Sequence, residues 1–139
     1  MRQIIYVSSA SKPFTPDELA ELLRQARAKN RRLDITGLLL YKDGNFIQVL
    51  EGPDQAVADL YQTIQRDLRH KTIISMSNRQ IEAREFGDWE MGFTDIAALT
   101  EEDKPGLSTF LSESMTPETL SLTPTRARIL LQSFRANMR

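Results

Sequence analysis

The stretch Ile35-Thr36-Gly37-Leu38-Leu39-Leu40-Tyr41-Lys42-Asp43-Gly44-Asn45-Phe46-Ile47-Gln48-Val49-Leu50-Glu51 decides the fold. Ile35 to Tyr41 reads as a mostly apolar strand with Gly37 inside it, and Asn45 to Glu51 as a second strand. Asp43-Gly44 between them signals a tight hairpin, whose turn needs positive φ that aspartate and glycine accept. Upstream, Arg2 to Ser8 has the β-branched and aromatic content of a strand, followed by turn formers and a proline up to Phe14. Thr15-Pro16-Asp17-Glu18 then predicts a helix start, a capping box with proline at the first helical position. Leu19, Leu22, Leu23 and Ala26 follow at helical spacing, and the helix is expected to fade near Asn30, before Arg31-Arg32.

Downstream, Gly52-Pro53-Asp54 opens a second helix in which Val57, Leu60, Tyr61, Ile64 and Leu68 make one apolar stripe, ending by His70. Thr72 to Asn78 reads as a fourth strand and Trp89 to Phe93 as a fifth. The order βαββαββ, two crossovers with a hairpin between, predicts an α+β, ferredoxin-like mixed sheet of five strands with both helices on one face. Strands one and three are neighbours in that topology, so Tyr6 and Gln48 are expected side by side.

At 139 residues the chain has the size of one domain with a core that needs no staples. A formal charge of −1 argues against a general nucleic-acid binder. There is no cysteine, so neither a disulfide framework nor a thiolate metal site can form. His70 is the only histidine and makes neither a metal site nor a triad. No apolar run spans a bilayer and the N-terminus has strand character, so the expected location is cytoplasmic.

Tyr6 and Gln48 are each polar groups in apolar strands. A buried phenol and a buried primary amide are costly unless each finds a partner, and a bound cofactor is the best candidate. Tyr6 by itself also reads as an interfacial strand tyrosine, and Gln48 as a core amide bonded to backbone. After Asp95 the composition shifts to Thr, Glu, Ser and Pro, with helices expected over 101–112 and 124–137. The last carries Ile129, Leu130 and Phe134 beside Arg126, Arg128, Arg135 and Arg139, an amphipathic basic helix suited to covering the open sheet face. Residues 1–95 thus read as the core domain and 96–139 as a C-terminal extension for output or oligomerisation.

The chain resembles the BLUF domains, blue-light sensors with a non-covalent flavin. The matching pieces are Ile5-Tyr6-Val7-Ser8, Asn30 six residues before Thr36, Asn45 to Gly52, Arg66-Asp67-Leu68-Arg69-His70, and Phe86-Gly87-Asp88-Trp89-Glu90-Met91, in order over residues 1–95. The resemblance implies FAD as cofactor, with FMN or riboflavin as alternatives. It implies light-driven transfer of an electron and proton from Tyr6 to the flavin, then rearrangement of Gln48. It gives Asn30 a hydrogen bond to the ring, Ile64 a packing role on it, and Asp67, Arg69 and His70 places near the ribityl chain and phosphate end. Lys29 departs from the family pattern of Asn or His and is expected to reach a phosphate or solvent. Trp89 and Met91, two apart on one strand face, become the relay.

Residue by residue, plainer roles stay open: helix termination for Asn30, a solvated helix end for Asp67, Arg69 and His70, core filling for Trp89 and Met91. The expected protein is a photoreceptor without substrate turnover, at a length that leaves no room for an attached cyclase, phosphodiesterase or DNA-binding domain. Its output then passes to a downstream protein effector or a homo-oligomer. A flavin-dependent redox enzyme is a second reading, against which stands the lack of a dinucleotide fingerprint. A ferredoxin-like interaction module without photochemistry is a third, which retention of Tyr6, Gln48 and Asn30 opposes.

Overall fold

A computed structural model describes residues 1–12, 14–42, 44–87 and 92–95. The element order is β1 (Arg2–Ala10), α1 (Pro16–Leu33), β2 (Thr36–Lys42), β3 (Asn45–Gly52), α2 (Asp54–Gln65), β4 (His70–Gln80) and β5 (Gly92–Asp95). They form one sheet in the order β4-β1-β3-β2-β5. β3 lies antiparallel between β1 and β2, and β5 runs parallel to β2. This is the ferredoxin-like split βαβ arrangement predicted from the hairpin and its two flanking helices.

Strand alternation sorts the side chains onto two faces. Ile4, Tyr6 and Ala10 of β1, Phe46 and Leu50 of β3, and Leu39 and Tyr41 of β2 form one cluster with Leu19 and Leu23 of α1 and Val57 and Leu60 of α2. Both helices therefore cover this face. Ile5, Val7, Leu38, Leu40, Ile47 and Val49 alternate onto the other face and are also buried, as the continuous apolar runs of β2 and β3 imply. The helices expected over 101–112 and 124–137 lie outside the described residues. No helix among the described residues is long and apolar enough to cross a membrane.

The α1 capping box forms as expected: Thr15 Oγ1 accepts from Glu18 N–H, and Glu18 Oε1 accepts from Thr15 N–H. The end of α1 differs from expectation. The helix continues one turn past Asn30 to Leu33 and stops at Asp34, in the left-handed conformation (φ 58°). Arg31 and Arg32 lie in the last turn, where cations favour the helix dipole rather than break the helix. Asn30 is consequently a buried helical residue and not a terminator.

The second helix is shorter than the apolar stripe suggested. It stops at Gln65, Arg66 being its C-cap. Asp67 Oδ1 then accepts the Arg69 N–H, a local turn that competes with further helix. Leu68, expected on the stripe, is 89% exposed as a result. β4 begins earlier, at His70, and carries two register shifts against β1, with Thr72 at φ 51° in one of them. The described part of β5 pairs in parallel with β2, from Leu38 opposite Gly92 to Tyr41 opposite Asp95, and includes Gly92 and Phe93 of the expected strand. Trp89 and Met91 lie outside the described residues.

Gly52 ends β3 where the chain passes the α1–β2 turn. A Cβ there would sit 2.8 Å from the Asp34 carbonyl oxygen and 3.2 Å from Ile35 Cγ1, so backbone must shift to admit one. Gly52→Ala is expected to destabilise the domain by about 1–3 kcal/mol, read as a lower urea midpoint. An unchanged midpoint would contradict this close approach.

Candidate functional site

The β1–β3 register sets Tyr6 directly opposite Gln48, and Leu39 of β2 opposite Gln48 on its other side. All three side chains point to the helix face. Tyr6 is 1% and Gln48 7% exposed, and the Tyr6 hydroxyl donates to Gln48 Oε1. Burial raises the Tyr6 pKa far above its ordinary value of 10.0, and the electrostatic influences of Tyr61 and Asp67 add to it. The phenol is therefore protonated and a donor at any physiological pH. Tyr61 of α2 stands beside it, ring centroids 5.4 Å apart.

Above this pair, between α1 and α2, lies a cavity of about 230 Å³. Tyr6, Asn30, Gln48, Ile64, Asp67, Arg69, His70 and Lys29, the eight residues singled out from the sequence, all line it. Leu22, Ala26, Leu39, Phe46, Leu60, Gln25 and Thr63 complete the wall. The helix periods place them: Leu22, Ala26, Lys29 and Asn30 share one face of α1, and Leu60, Thr63 and Ile64 one face of α2. That pattern was present in the sequence, but the leucines and Ala26 read there only as core.

The floor and mouth of the cavity differ in polarity. Inside are hydrocarbon walls and two buried primary amides, Gln48 and the 2% exposed Asn30. At one end Asp67 and Arg69 pair, with Arg69 Nη2 2.6 Å from Asp67 Oδ2. The Arg69 hydrogen bond holds the Asp67 carboxyl below its ordinary value. His70 is fixed by Ser8 Oγ, 3.1 Å from its Nδ1, and by the edge of Phe46, ring centroids 5.3 Å apart. Neither contact was expected from the sequence. Burial lowers the His70 pKa, and Asp67 partly offsets this while Arg69 reinforces it.

This donor set fits a flavin. Apolar walls suit a flat aromatic ring, amides suit its carbonyls and ring nitrogens, and Lys29 and Arg69 supply cations for a phosphate end. Fold and cavity together define a ferredoxin-like domain whose cavity suits a planar heteroaromatic ligand.

The family model described as BLUF, sensors of blue light using FAD, matches residues 1–92. The chain belongs to the BLUF family and is a flavin-binding blue-light sensor domain. It is 34% identical over 113 residues to photoactivated adenylate cyclase subunit beta of Euglena longa, covering 80% of this chain and 13% of that protein. BlrB, a BLUF protein solved in its dark state, superposes with a TM-score of 0.72 at 29% identity, covering 95% of this chain and 96% of that one. A bacterial light-regulated adenylyl cyclase superposes with a TM-score of 0.74 at 28% identity, covering 95% of this chain and 36% of that one. The chain thus spans a minor part of the two cyclases and nearly all of BlrB.

His70 makes stability pH-dependent. Its folded pKa lies below the ordinary 6.5, so the unfolded chain takes up the proton first on acidification. The contribution is present above pH 6.5 and is lost as pH falls through the folded value. Urea midpoints of the flavin-free protein should fall on acidification below about pH 6.5, and His70→Gln should flatten that segment. An identical profile in the variant would contradict the assignment.

Proposed function

We propose that Tyr6 and Gln48 are the photoactive pair of this sensor and that Asn30, Ile64, Asp67, Arg69, His70 and Lys29 hold the flavin. One observation carries the reading: the buried Tyr6 hydroxyl donates to Gln48 Oε1 at the wall of the cavity. Bound flavin supplies a light-driven oxidant. The phenol is the group that can lose an electron and its hydroxyl proton together. Its raised pKa blocks loss of the proton alone, so the dark state stays quiet.

Gln48 is the switch because its amide has an acceptor end and a donor end. With Oε1 toward Tyr6 it accepts the phenolic hydrogen. Turned over or tautomerised, it presents different hydrogen-bonding groups to Tyr6 and to the cavity. Arg69, positioned by Asp67, and Lys29 hold the phosphate end of FAD, while Ile64 packs the ring and Asn30 bonds it.

Residues 96–139 form an output or oligomerisation element, with Trp89 and Met91 as relay, and the chain itself turns over no substrate. The basic, amphipathic pattern of 124–137 supports a surface for a protein effector or a second copy. The cyclase named in the relatives indicates the class of effector such a domain can drive. We place the sensor in the cytoplasm, and its near-balanced charge supports work without direct contact to nucleic acid.

Purified protein should be yellow and show a small, reversible red shift of flavin absorption in blue light. Tyr6→Phe should keep the flavin and abolish that shift, so a normal photocycle in this variant would refute the role given to Tyr6. Removing residues from Pro124 onward should spare the photocycle and alter light-dependent association. Association by light scattering that is the same in the truncated and full-length protein, lit and dark, would count against the output assignment.

A further inference from the structure

On the sheet face away from the two helices, Gln3 and Glu51 are wholly buried. They sit directly opposite each other in the β1–β3 ladder, three positions from the Tyr6–Gln48 pair. Gln3 Nε2 donates to Glu51 Oε2 at 2.7 Å. The same oxygen accepts the Glu85 N–H at 3.0 Å, and Glu51 Oε1 accepts the Phe86 N–H at 2.7 Å. Two of the three donors are thus backbone amides in residues 81–87, the described part of the β4–β5 connection.

The clamp is reinforced from both sides. Arg79 Nε donates to Gln3 Oε1 at 3.1 Å and its Nη2 to Glu85 Oε1 at 2.5 Å. Arg84 reaches Thr36 Oγ1 and the Asp34 carbonyl, each at 2.8 Å, and the Glu51 carbonyl at 3.2 Å. Phe86 is buried beneath. Strand burial alone would be served by an apolar side chain. A buried carboxylate is retained at a desolvation cost, and bonds to it are strong and directional.

We propose that Glu51 is a positioning residue that couples the hydrogen-bond state of Tyr6 and Gln48 to the β4–β5 connection. The two polar pairs staple the same two strands on opposite faces. A rearrangement at Gln48 that shifts β3 against β1 moves the Glu51 oxygens relative to the amides of Glu85 and Phe86. The connection then changes between a docked and a loosened arrangement, the discrete element that a signal requires. This inference rests on Tyr6 and Gln48 being the photoactive pair.

The test is amide hydrogen exchange of peptides covering 81–87 in flavin-loaded protein, dark and under blue light, with absorption followed in parallel. In the wild type, exchange there should rise about tenfold in the light and recover with the red shift. Glu51→Gln puts an amide donor against the two N–H donors. It should keep the red shift, exchange fast already in the dark, and lose the light–dark difference.

A wild-type red shift with 81–87 unchanged overturns this inference alone, and so does a full light–dark difference in Glu51→Gln. A wild type without any red shift brings down the Tyr6–Gln48 reading and this one with it. Should Glu51→Gln not fold, Arg79→Met removes the reinforcement from a partly exposed position and should at least halve the light–dark difference. An undiminished difference in Arg79→Met overturns the inference.

Discussion

The domain depends on one register: β1 paired antiparallel to β3 so that Tyr6 faces Gln48. A slip of one residue would put the two side chains on opposite faces of the sheet, one of them away from the helices and the cavity. Ile4, Tyr6 and Ala10 face the helices, while Ile5 and Val7 are buried on the reverse. A sheet apolar on both faces would still permit a slip in terms of hydrophobicity alone. The polar pairs remove that freedom, because Tyr6 and Gln48 on one face and Gln3 and Glu51 on the other satisfy each other in this register.

The same pairing sets the chemistry. A phenol without water around it holds its proton, and Gln48 Oε1 gives that proton a fixed acceptor. The cavity grades from hydrocarbon and amides over the strands to charged groups at the α2–β4 turn. That gradient follows from where α2 stops. Had the helix run on to His70, Asp67 could not have closed its turn onto the Arg69 N–H. The early end of α2 frees this turn and starts β4 at His70, against Ser8 and Phe46.

In the proposed coupling, signal and binding use different faces of the central strand. Gln48 faces the cavity and Glu51 the reverse, where it gathers the amides of the β4–β5 connection. Strand period two therefore gives β3 a ligand side and an output side within four residues. Arg84 extends the output side to the α1–β2 turn through Asp34 and Thr36, close to where Gly52 leaves no room for a side chain.

Much of this was legible in the chain before folding. The capping box at Thr15, the Asp43-Gly44 hairpin and the helix stripes are local, and they prescribed βαββαββ and its topology. The pieces around Tyr6, Asn30, Gln48 and Asp67 to His70 carried the family resemblance, and with Lys29 and Ile64 they gave eight cavity residues. Element ends were less legible because they depend on partners: α1 outran Asn30, and β4 began at His70, opposite Ala10 of β1. The exposed Leu68 shows that periodicity does not reveal a side-chain turn that stops a helix. Sequence determined the elements, their order and the residue types fit for a flavin. Tertiary structure alone decided that Tyr6 donates to Gln48, that Ser8 and Phe46 hold His70, and that Glu51 is buried under three donors. Such contacts join residues 24–62 positions apart, and no local pattern encodes the distance between them.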